Sequence, residues 1–261
     1  RKKKRFLLLF FKFILKKYKP YIYHFDNQKY KFSVKDYFSY ELFFLKKDKH
    51  LEQFLISLIK YLRYKNITHN IFDIGSNIGF YTVLFSSIKE AKVHSFEPFQ
   101  DLIKIQNKNL KINSINNVTI NQVGITSSRN KNDIYVDKIY SLPSNTLNFL
   151  NLSDLSFGKN FDQKVKLISL EEYCTSKSIN KVDLIKIDIE GGEYEILYDI
   201  KNFINKHKPI IYIEVHSLVD QYYKKYDDTK KNLYPLNCLF NNEYELFLIN
   251  DKKENLKTND V

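Results

Sequence analysis

The segment IFDIGSNIGFYT, residues 71–82, decides the fold because it contains a strand, a glycine turn and the start of a helix. Its first residues are apolar, as expected of a strand covered on both faces, and the strand is predicted to end at Asp73. Gly75 and Gly79 then form the turn, because glycine permits positive φ and close approach of a ligand to the backbone. Sites for nicotinamide and flavin nucleotides use G-x-G-x-x-G, so this G-x-x-x-G spacing indicates another ligand.

Strands and helices alternate along the rest of the chain. Strands are predicted at residues 92–96, 118–123, 164–170, 182–189, 209–215 and 243–249, and helices at 51–64, 78–89, 99–112, 171–178 and 193–207. Ser76 or Asn77 is expected to cap the helix that follows the glycine turn. This alternation predicts an α/β fold with a mostly parallel sheet and helices on both faces. In such sheets a ligand binds at the carboxyl ends of the strands, where the strand order reverses.

Three parts are predicted along the sequence. Residues 1–45 form a basic N-terminal helix and a hairpin, residues 46–250 form the α/β domain, and residues 251–261 form a polar tail. Within the domain, residues 124–164 are rich in Ser, Asn, Lys and Asp. They are predicted to be an insertion of loops that lies over the strand ends and selects the substrate.

Residues 1–19, RKKKRFLLLFFKFILKKYK, combine basic and apolar side chains. The apolar part is interrupted by Lys12 and is shorter than the roughly 20 residues that span a bilayer. A basic amphipathic helix of this kind is typical of a membrane surface, so peripheral membrane contact through residues 1–19 is one hypothesis. A helix that packs on the domain is the alternative.

The chain has 261 residues, of which 43% are hydrophobic, enough for one sizeable folded domain. Its net charge of +12 points first to a nucleic acid or an anionic membrane as partner. Lys, Asn, Ile, Phe and Tyr all have codons rich in A and T, however, so genomic base bias explains part of the lysine content. Cys174 and Cys238 lack metal-type spacing and indicate free thiols in a reducing compartment, which predicts a cytoplasmic location.

Ionisable residues end or closely follow the predicted strands, namely Asp73, Glu97, Asp188, Glu190, Glu214 and His216. S-adenosylmethionine carries an ammonium and a sulfonium but no pyrophosphate, so an acid at a strand end suits its positive charge. Glu97 ends the second strand, where a carboxylate accepts hydrogen bonds from both ribose hydroxyls. The pattern therefore predicts S-adenosylmethionine as the ligand. The alternative is that the glycines only form a tight turn and Glu97 caps a helix.

At this point the sequence resembles a known family, the FkbM-type methyltransferases of the class I S-adenosylmethionine-dependent fold. The matching segments are FDIGSNIGFYT (72–82), VHSFEPF (93–99), NVTINQVGI (117–125), VDLIKIDIEGGE (182–193) and KPIIYIEVH (208–216). They occur in the family's order and cover residues 40–216. The resemblance implies a Rossmann-like class I methyltransferase fold for the domain, with S-adenosylmethionine as the methyl donor.

The resemblance also assigns donor contacts residue by residue. It implies contacts at Asp73, Gly75, Ser76, Asn77, Gly79, Tyr81, Thr82 and Glu97, with Val123 and Gly124 beside the adenine. The family usually has Ala at the positions of Ser76 and Gly124. Both differences are small, and neither changes the charge of the predicted site.

Methyl transfer to a hydroxyl needs a group that accepts a proton and a fixed alignment of the reactants. Alternation along the strand at 182–189 predicts that Lys186, Asp188 and Glu190 share one face, and that Lys186 pairs with an acid there or with Glu214. Asp188 is predicted to lie beside the donor. Glu190, Glu214 and His216 are the candidate general bases or substrate anchors. Asp188, Glu190 and Glu214 also present oxygen ligands suited to Mg²⁺, so metal dependence stays open.

Three functions are consistent with these observations. The first is O-methylation of a hydroxyl on a saccharide, glycan or related small metabolite. The second is RNA methylation, which the charge favours. The sequence contains no RNA-binding module and no N/D-P-P-Y motif, which argues against a nucleic-acid partner. The third is a non-catalytic, membrane-associated binding protein with the same fold.

Overall fold

The structure is a computed structural model. It describes residues 20–33, 49–65, 69–126, 134–136, 163–189, 193, 196–197, 200–214 and 244. The predictions for residues 1–19, 251–261 and most of the strand at 243–249 lie outside this part of the chain. Within it, none of the helices has the length and apolar character that crossing a bilayer requires.

Strands and helices follow one another along the chain as predicted. The strands are β1 (Tyr21–Phe25), β2 (Gln28–Phe32), β3 (His69–Ile74), β4 (Ala91–Phe96), β5 (Val118–Asn121), β6 (Gly124–Ile125), β7 (Ile134–Val136), β8 (Gln163–Val165), β9 (Leu167–Ile168), β10 (Leu184–Ile187) and β11 (Ile210–Ile213). The helices are α1 (Lys49–Tyr64), α2 (Phe80–Phe85), α3 (Gln100–Ile112), α4 (Leu170–Ser176) and α5 (Lys201–His207).

The central sheet has five parallel strands in the order β11-β10-β3-β4-β5. The chain runs outward from β3 through β4 to β5, then returns to the other side of β3 and continues through β10 to β11. The strand order therefore reverses between β3 and β10, and a crevice for a ligand is expected at their carboxyl ends. The predicted α/β fold with a parallel sheet is confirmed.

Apolar side chains form one hydrophobic core on each face of the sheet. Ile71, Val93 and Leu184 pack with residues of the hairpin β1–β2 and of α1, α2 and α3. On the opposite face, Phe72 and Ile185 pack with residues of α4 and α5. Neighbouring strand residues point to opposite faces, so each strand contributes to both cores. Helices on both faces were predicted, and the two cores confirm them.

The N-terminal hairpin is part of the first core. It turns at Asp26 and Asn27, which have φ of 47° and 62°, as a two-residue hairpin turn requires. Phe25 and Phe32 are 1% and 0% exposed and lie in the core shared with α1 and α2. The outer edge of β2 contacts the end of α3, because the Lys31 N–H donates at 2.7 Å to Oδ1 of Asn113, the residue that follows this helix. The hairpin was predicted, and its buried aromatic side chains pack it against the α/β domain.

The turn after β3 differs from the prediction. The helix α2 begins at Phe80 rather than at residue 78, and Gly79 with φ of 83° occupies its N-cap position without a side-chain cap. The prediction that Ser76 or Asn77 caps this helix is therefore wrong. The physical reason is that the turn closes through the backbone, where the Gly79 N–H donates to the Ser76 carbonyl at 2.8 Å.

The strand predicted at residues 164–170 is divided into two. Its first part, β8, pairs antiparallel with β7, whereas β9 pairs parallel with β6. Lys166 separates them, and its carbonyl accepts a hydrogen bond from the Gly124 N–H at 2.9 Å. The two parts of the predicted strand pair with different strands, so the strand is interrupted at a point that the apolar pattern alone does not indicate.

Candidate functional site

Three acids lie in one row just beyond the carboxyl ends of the sheet. The backbone N–H groups of Gly75, Glu97, Asp188 and Glu214 each donate to a carbonyl of the neighbouring strand, at 3.0–3.1 Å. The ladder thus continues one residue past β3, β4, β10 and β11. We call Gly75, Glu97, Asp188 and Glu214 the strand-end row. The predicted candidates Glu190 and His216 lie outside the described residues.

A second polar row lies one pleat below the strand-end row, inside the sheet. Ser95, Asp73, Lys186 and Tyr212 are register partners on four adjacent strands and therefore face the same side. Ser95 and Asp73 are fully buried and Lys186 is 2% exposed. Polar side chains this deep require partners, because an unpaired buried charge is strongly unfavourable.

The buried row contains an ion pair. Lys186 Nζ lies 3.1 Å from Asp188 Oδ2 and 3.6 Å from Asp73 Oδ1, and it donates to the Gly75 carbonyl at 3.1 Å. Burial alone would lower the pKa of Lys186, but the two carboxylates outweigh it and raise that pKa. Burial raises the pKa of Asp73, and Lys186 opposes this rise. The predicted pairing of Lys186 with a neighbouring acid is confirmed, and Asp73 is a second partner.

Hydrogen bonds tie the ion pair to helices α2 and α3. The Thr82 hydroxyl donates to Asp73 Oδ2 at 2.5 Å. Gln106 Nε2 donates to Thr82 Oγ1 at 3.3 Å and to Ser76 Oγ at 3.0 Å, while the Ser95 hydroxyl donates to Gln106 Oε1 at 2.9 Å. A connected and buried polar network of this kind holds its members in one arrangement. The side chains of Ser76 and Thr82, predicted as donor contacts, are members of it.

Glu97 is 4% exposed and is held by two backbone donors. Its Oε2 accepts from the Asn77 N–H at 3.0 Å, and its Oε1 accepts from the Phe99 N–H at 2.9 Å. Burial raises the pKa of Glu97 to about 7, against the effect of these two hydrogen bonds. An ionised carboxylate has about four acceptor positions, so about two remain for other donors.

Both glycines of the turn are required by packing within the protein. Gly75 has φ of 73°, and a Cβ there would lie 1.8 Å from the Asp188 carbonyl oxygen. At Gly79, with φ of 83°, a Cβ would lie 2.6 Å from Gln106 Cγ. The sequence predicts that these glycines allow a ligand to approach the backbone. The structure adds that Gly75 lets the ends of β3 and β10 meet.

Two tyrosines border the ion pair. The hydroxyls of Tyr81 and Tyr212 lie 3.3 Å apart, and Lys186 Nζ lies 4.9 Å from the centre of the Tyr81 ring. Burial raises the pKa of both tyrosines, so both remain protonated at neutral pH. Phe54 of α1 packs against Tyr212 with ring centres 5.7 Å apart. Tyr81 was predicted as a donor contact, whereas Tyr212 was not predicted.

Val123 and Gly124, predicted to lie beside the adenine, follow β5. Val123 packs against the second core, and Gly124 begins β6 with its Cα close to Leu167, where a Cβ would lie 2.7 Å from Cδ2. Contact of either residue with an adenine stays a prediction. The same holds for the ligand contacts predicted at Asp73, whose two oxygens face Thr82 and Lys186 here.

Sequence reasoning missed Ser95, Gln106 and Tyr212. Ser95 lies two residues before Glu97, so strand alternation was a signal for its shared face. Gln106 has no local signal, because it reaches the network from α3. No cluster of three or more His, Cys, Asp or Glu side chains suited to a metal ion occurs in the part of the chain that the structure describes. Magnesium binding that involves Glu190 stays a prediction.

The topology and the strand-end row together define the class of the protein. A parallel sheet of this order is a Rossmann-like fold, in which a ligand is expected at the point where the strand order reverses, here beside acidic side chains. A family model described as "Methyltransferase FkbM domain" matches residues 73–239, more than half of the chain. The chain therefore belongs to the FkbM methyltransferase domain family, whose members use S-adenosylmethionine.

Individual proteins similar to this chain include one sequence relative and two solved structures. The chain is 26% identical over 157 residues to the methyltransferase sdnD of Sordaria araneosa, which covers 49% of this chain and 58% of that relative. An rRNA methylase from Streptococcus thermophilus has a TM-score of 0.38 and 9% identity, over 68% of this chain and 80% of that one. The YcgJ protein of Bacillus subtilis has a TM-score of 0.37 and 10% identity, over 74% and 68%. Structural similarity this low says nothing about the substrate.

Proposed function

We propose that this protein transfers the methyl group of S-adenosylmethionine to a hydroxyl of a saccharide, glycan or related small metabolite. The observation that carries the donor assignment is the charge of the site. Asp73, Glu97, Asp188 and Glu214 bring four carboxyl groups to the ends of the strands, against one ammonium from Lys186. A site with excess negative charge on a chain of net charge +12 selects a cationic ligand.

The residues present fit the donor. Glu97 keeps acceptor capacity for two hydroxyl groups after its bonds to the backbone, which suits a ribose. The side chain of Asp188 is 23% exposed, so its carboxylate reaches the crevice while Lys186 holds it. Gly75 leaves the turn without a side chain at the switch point between β3 and β10. When bound there, S-adenosylmethionine supplies an electrophilic methyl group.

The remaining task of the chain is to bind the acceptor and to take its proton. Glu214 is exposed at the end of β11, and two strands, β10 and β3, lie between it and β4 with Glu97. We assign it as the group that accepts the proton of the acceptor hydroxyl, with Glu190 and His216 as further candidates. Selection of the acceptor is proposed for residues 124–164. The assignment of Glu214 rests on its position in the strand-end row.

The roles of the acids are separable by mutation. Asp73→Ala and Glu97→Ala are expected to abolish binding of S-adenosylhomocysteine, the demethylated product, in isothermal titration calorimetry. Glu214→Ala and His216→Ala are expected to preserve this binding and stop turnover. NADH is the control ligand. A heat of binding with NADH, but none with S-adenosylmethionine or S-adenosylhomocysteine, would refute the proposed donor. Full turnover in both Glu214→Ala and His216→Ala would make those residues structural.

The acceptor class is tested with methyl-labelled S-adenosylmethionine and a fractionated cell extract. Label in a saccharide or small-molecule fraction is the expected result. Label in RNA alone would replace the proposed acceptor by RNA, and a steep loss of RNA binding with added salt would support that outcome. Absence of label in every fraction would favour the non-catalytic alternative.

Peripheral membrane contact through residues 1–19 is proposed as a separate property, together with a reducing, cytoplasmic location. Support comes from the outward face of the hairpin that follows this segment, where Lys29, Lys31 and Ile22 are exposed. Cys174 is a free and buried thiol, as a reducing compartment favours. Co-sedimentation with anionic liposomes is expected for the full chain and lost on removal of residues 1–19. Equal sedimentation of both proteins would disprove the contact.

A further inference from the structure

Lys186 joins the two strands at which the sheet order reverses, and none of the donor contacts or proton-transfer roles proposed above belongs to it. Its side chain is 3% exposed, and its Nζ contacts the Asp188 carboxylate at the end of β10 and the Gly75 carbonyl after β3, each at 3.1 Å. We propose that Lys186 is a positioning residue for the donor site. It fixes the Asp188 carboxylate relative to the Gly75 turn, so that both present one rigid surface to the donor.

The alternative role for Lys186 is to neutralise Asp73, which is fully buried. A lysine with that role alone would place its ammonium closest to the most buried acid. The distances have the opposite order, because Nζ lies 3.6 Å from Asp73 and 3.1 Å from Asp188, whose side chain is 23% exposed. The ammonium is thus drawn toward the rim of the site, where a ligand would bind.

The ammonium is held from several sides. Two acceptors lie within hydrogen-bond distance, the Asp188 carboxylate and the Gly75 carbonyl, and the Asp73 carboxylate adds a longer ionic contact at 3.6 Å. The ring of Tyr81 covers another side at 4.9 Å, and such contacts stabilise a cation over an aromatic face. Asp73 is in turn fixed by the Thr82 hydroxyl of α2. Because buried partners hold the Lys186 ammonium in place, its contact with Asp188 also fixes the partly exposed carboxylate of that residue.

This inference rests on the proposed donor site and is tested on the full chain with S-adenosylhomocysteine as the probe. Lys186→Met alone leaves Asp73 buried without a counter-ion and is expected to lower the unfolding temperature strongly. The double variant Asp73→Asn/Lys186→Met removes both buried charges, so its unfolding temperature should return toward that of the wild type. Its affinity should nevertheless be about tenfold weaker than that of Asp73→Asn alone, which keeps an oxygen at that position. The difference is the loss of one charge-assisted hydrogen bond, because Asp188 is unanchored.

Asp188→Asn is expected to weaken binding by the same factor. Added to the double variant, it should cause no further loss, since Lys186 acts through Asp188. Lys181→Met is the matched control, because Lys181 precedes β10 at its opposite end and also donates to a backbone carbonyl, that of His207. Its affinity for the probe should equal that of the wild type.

The outcomes separate this inference from the proposed function. An affinity of the double variant equal to that of Asp73→Asn, or wild-type affinity in Asp188→Asn, would overturn the positioning role while leaving the donor site in place. A wild-type protein that binds no S-adenosylhomocysteine would overturn the donor site and the positioning role together. Restored stability with binding weaker than in Asp73→Asn supports Lys186 as a positioning residue, since charge neutralisation alone predicts equal affinity in these two variants.

Discussion

Binding of S-adenosylmethionine or its product should become tighter as pH rises through neutrality, because of Glu97. Its carboxyl group is 4% exposed, and burial raises its pKa from an ordinary 4.5 to about 7. Below that pH the folded protein carries a neutral carboxylic acid, which offers one donor and fewer acceptor positions. Above it the carboxylate offers acceptors to the ribose hydroxyls of the proposed donor. The ionised form is therefore expected to be the form that binds.

The magnitude follows from the pKa of about 7. A group with this pKa is ionised in about one molecule in eleven at pH 6 and in about ten in eleven at pH 8, so the affinity should rise about tenfold between them. The contribution of Glu97 to folding stability changes with pH in the opposite direction. The Glu97 carboxyl group binds a proton more tightly in the folded state than in the unfolded state. Its contribution to stability is therefore highest below pH 4.5 and is lost as pH rises through 7. The loss is about 3 kcal/mol, at about 1.4 kcal/mol for each pKa unit.

The assay is isothermal titration calorimetry with S-adenosylhomocysteine at pH 6, 7 and 8, beside urea unfolding at the same pH values. Glu97→Gln is the control, because the amide does not titrate and retains one oxygen acceptor. The affinity of Glu97→Gln for the ligand should be weak and nearly independent of pH. Any pH dependence that comes from titration of the ligand itself would appear in this variant as well. Equal affinity of the wild type at pH 6 and pH 8, or a parallel pH dependence in Glu97→Gln, would refute the argument.

Three further predictions concern stability. Gly75→Ala should prevent stable folding, because its Cβ would lie 1.8 Å from a carbonyl oxygen of the adjacent strand end; a wild-type melting curve would contradict this. Phe32→Ala should cost about 3–5 kcal/mol in urea unfolding, because the ring is fully buried in the shared core. The exposed Ile22→Ala should change stability by less than about 0.5 kcal/mol, and equal losses in both variants would show that the hairpin is not part of the core. Thr82→Val should cost about 1–3 kcal/mol, since the Asp73 carboxylate loses its hydrogen bond; an unchanged urea midpoint would argue against that bond.

The fold and the position of the site follow from short-range features of the sequence. Apolar runs that end in an acid, as at Asp73 and Asp188, predicted strands and placed polar groups at their carboxyl ends, because side-chain alternation is a local property of an extended chain. The hairpin turn at Asp26 and Asn27 is also a local feature, since both residue types tolerate positive φ. The prediction of a helix cap at Ser76 was wrong because the Gly79 N–H forms a hydrogen bond with the backbone carbonyl of the turn instead.

Tertiary structure alone decided which of these polar groups touch. The contact of Lys186 with Asp73 depends on β10 lying beside β3, and strand order is a property of the whole chain that no local period encodes. Gln106 enters the network from a helix that packs over the sheet. Tyr212 borders the ion pair from the strand on the far side of β10. The sequence by itself therefore determined which residues reach the ends of the strands. The arrangement of strands determined which charges are buried together, and burial in a medium of low polarity is what couples Asp73, Lys186 and Asp188.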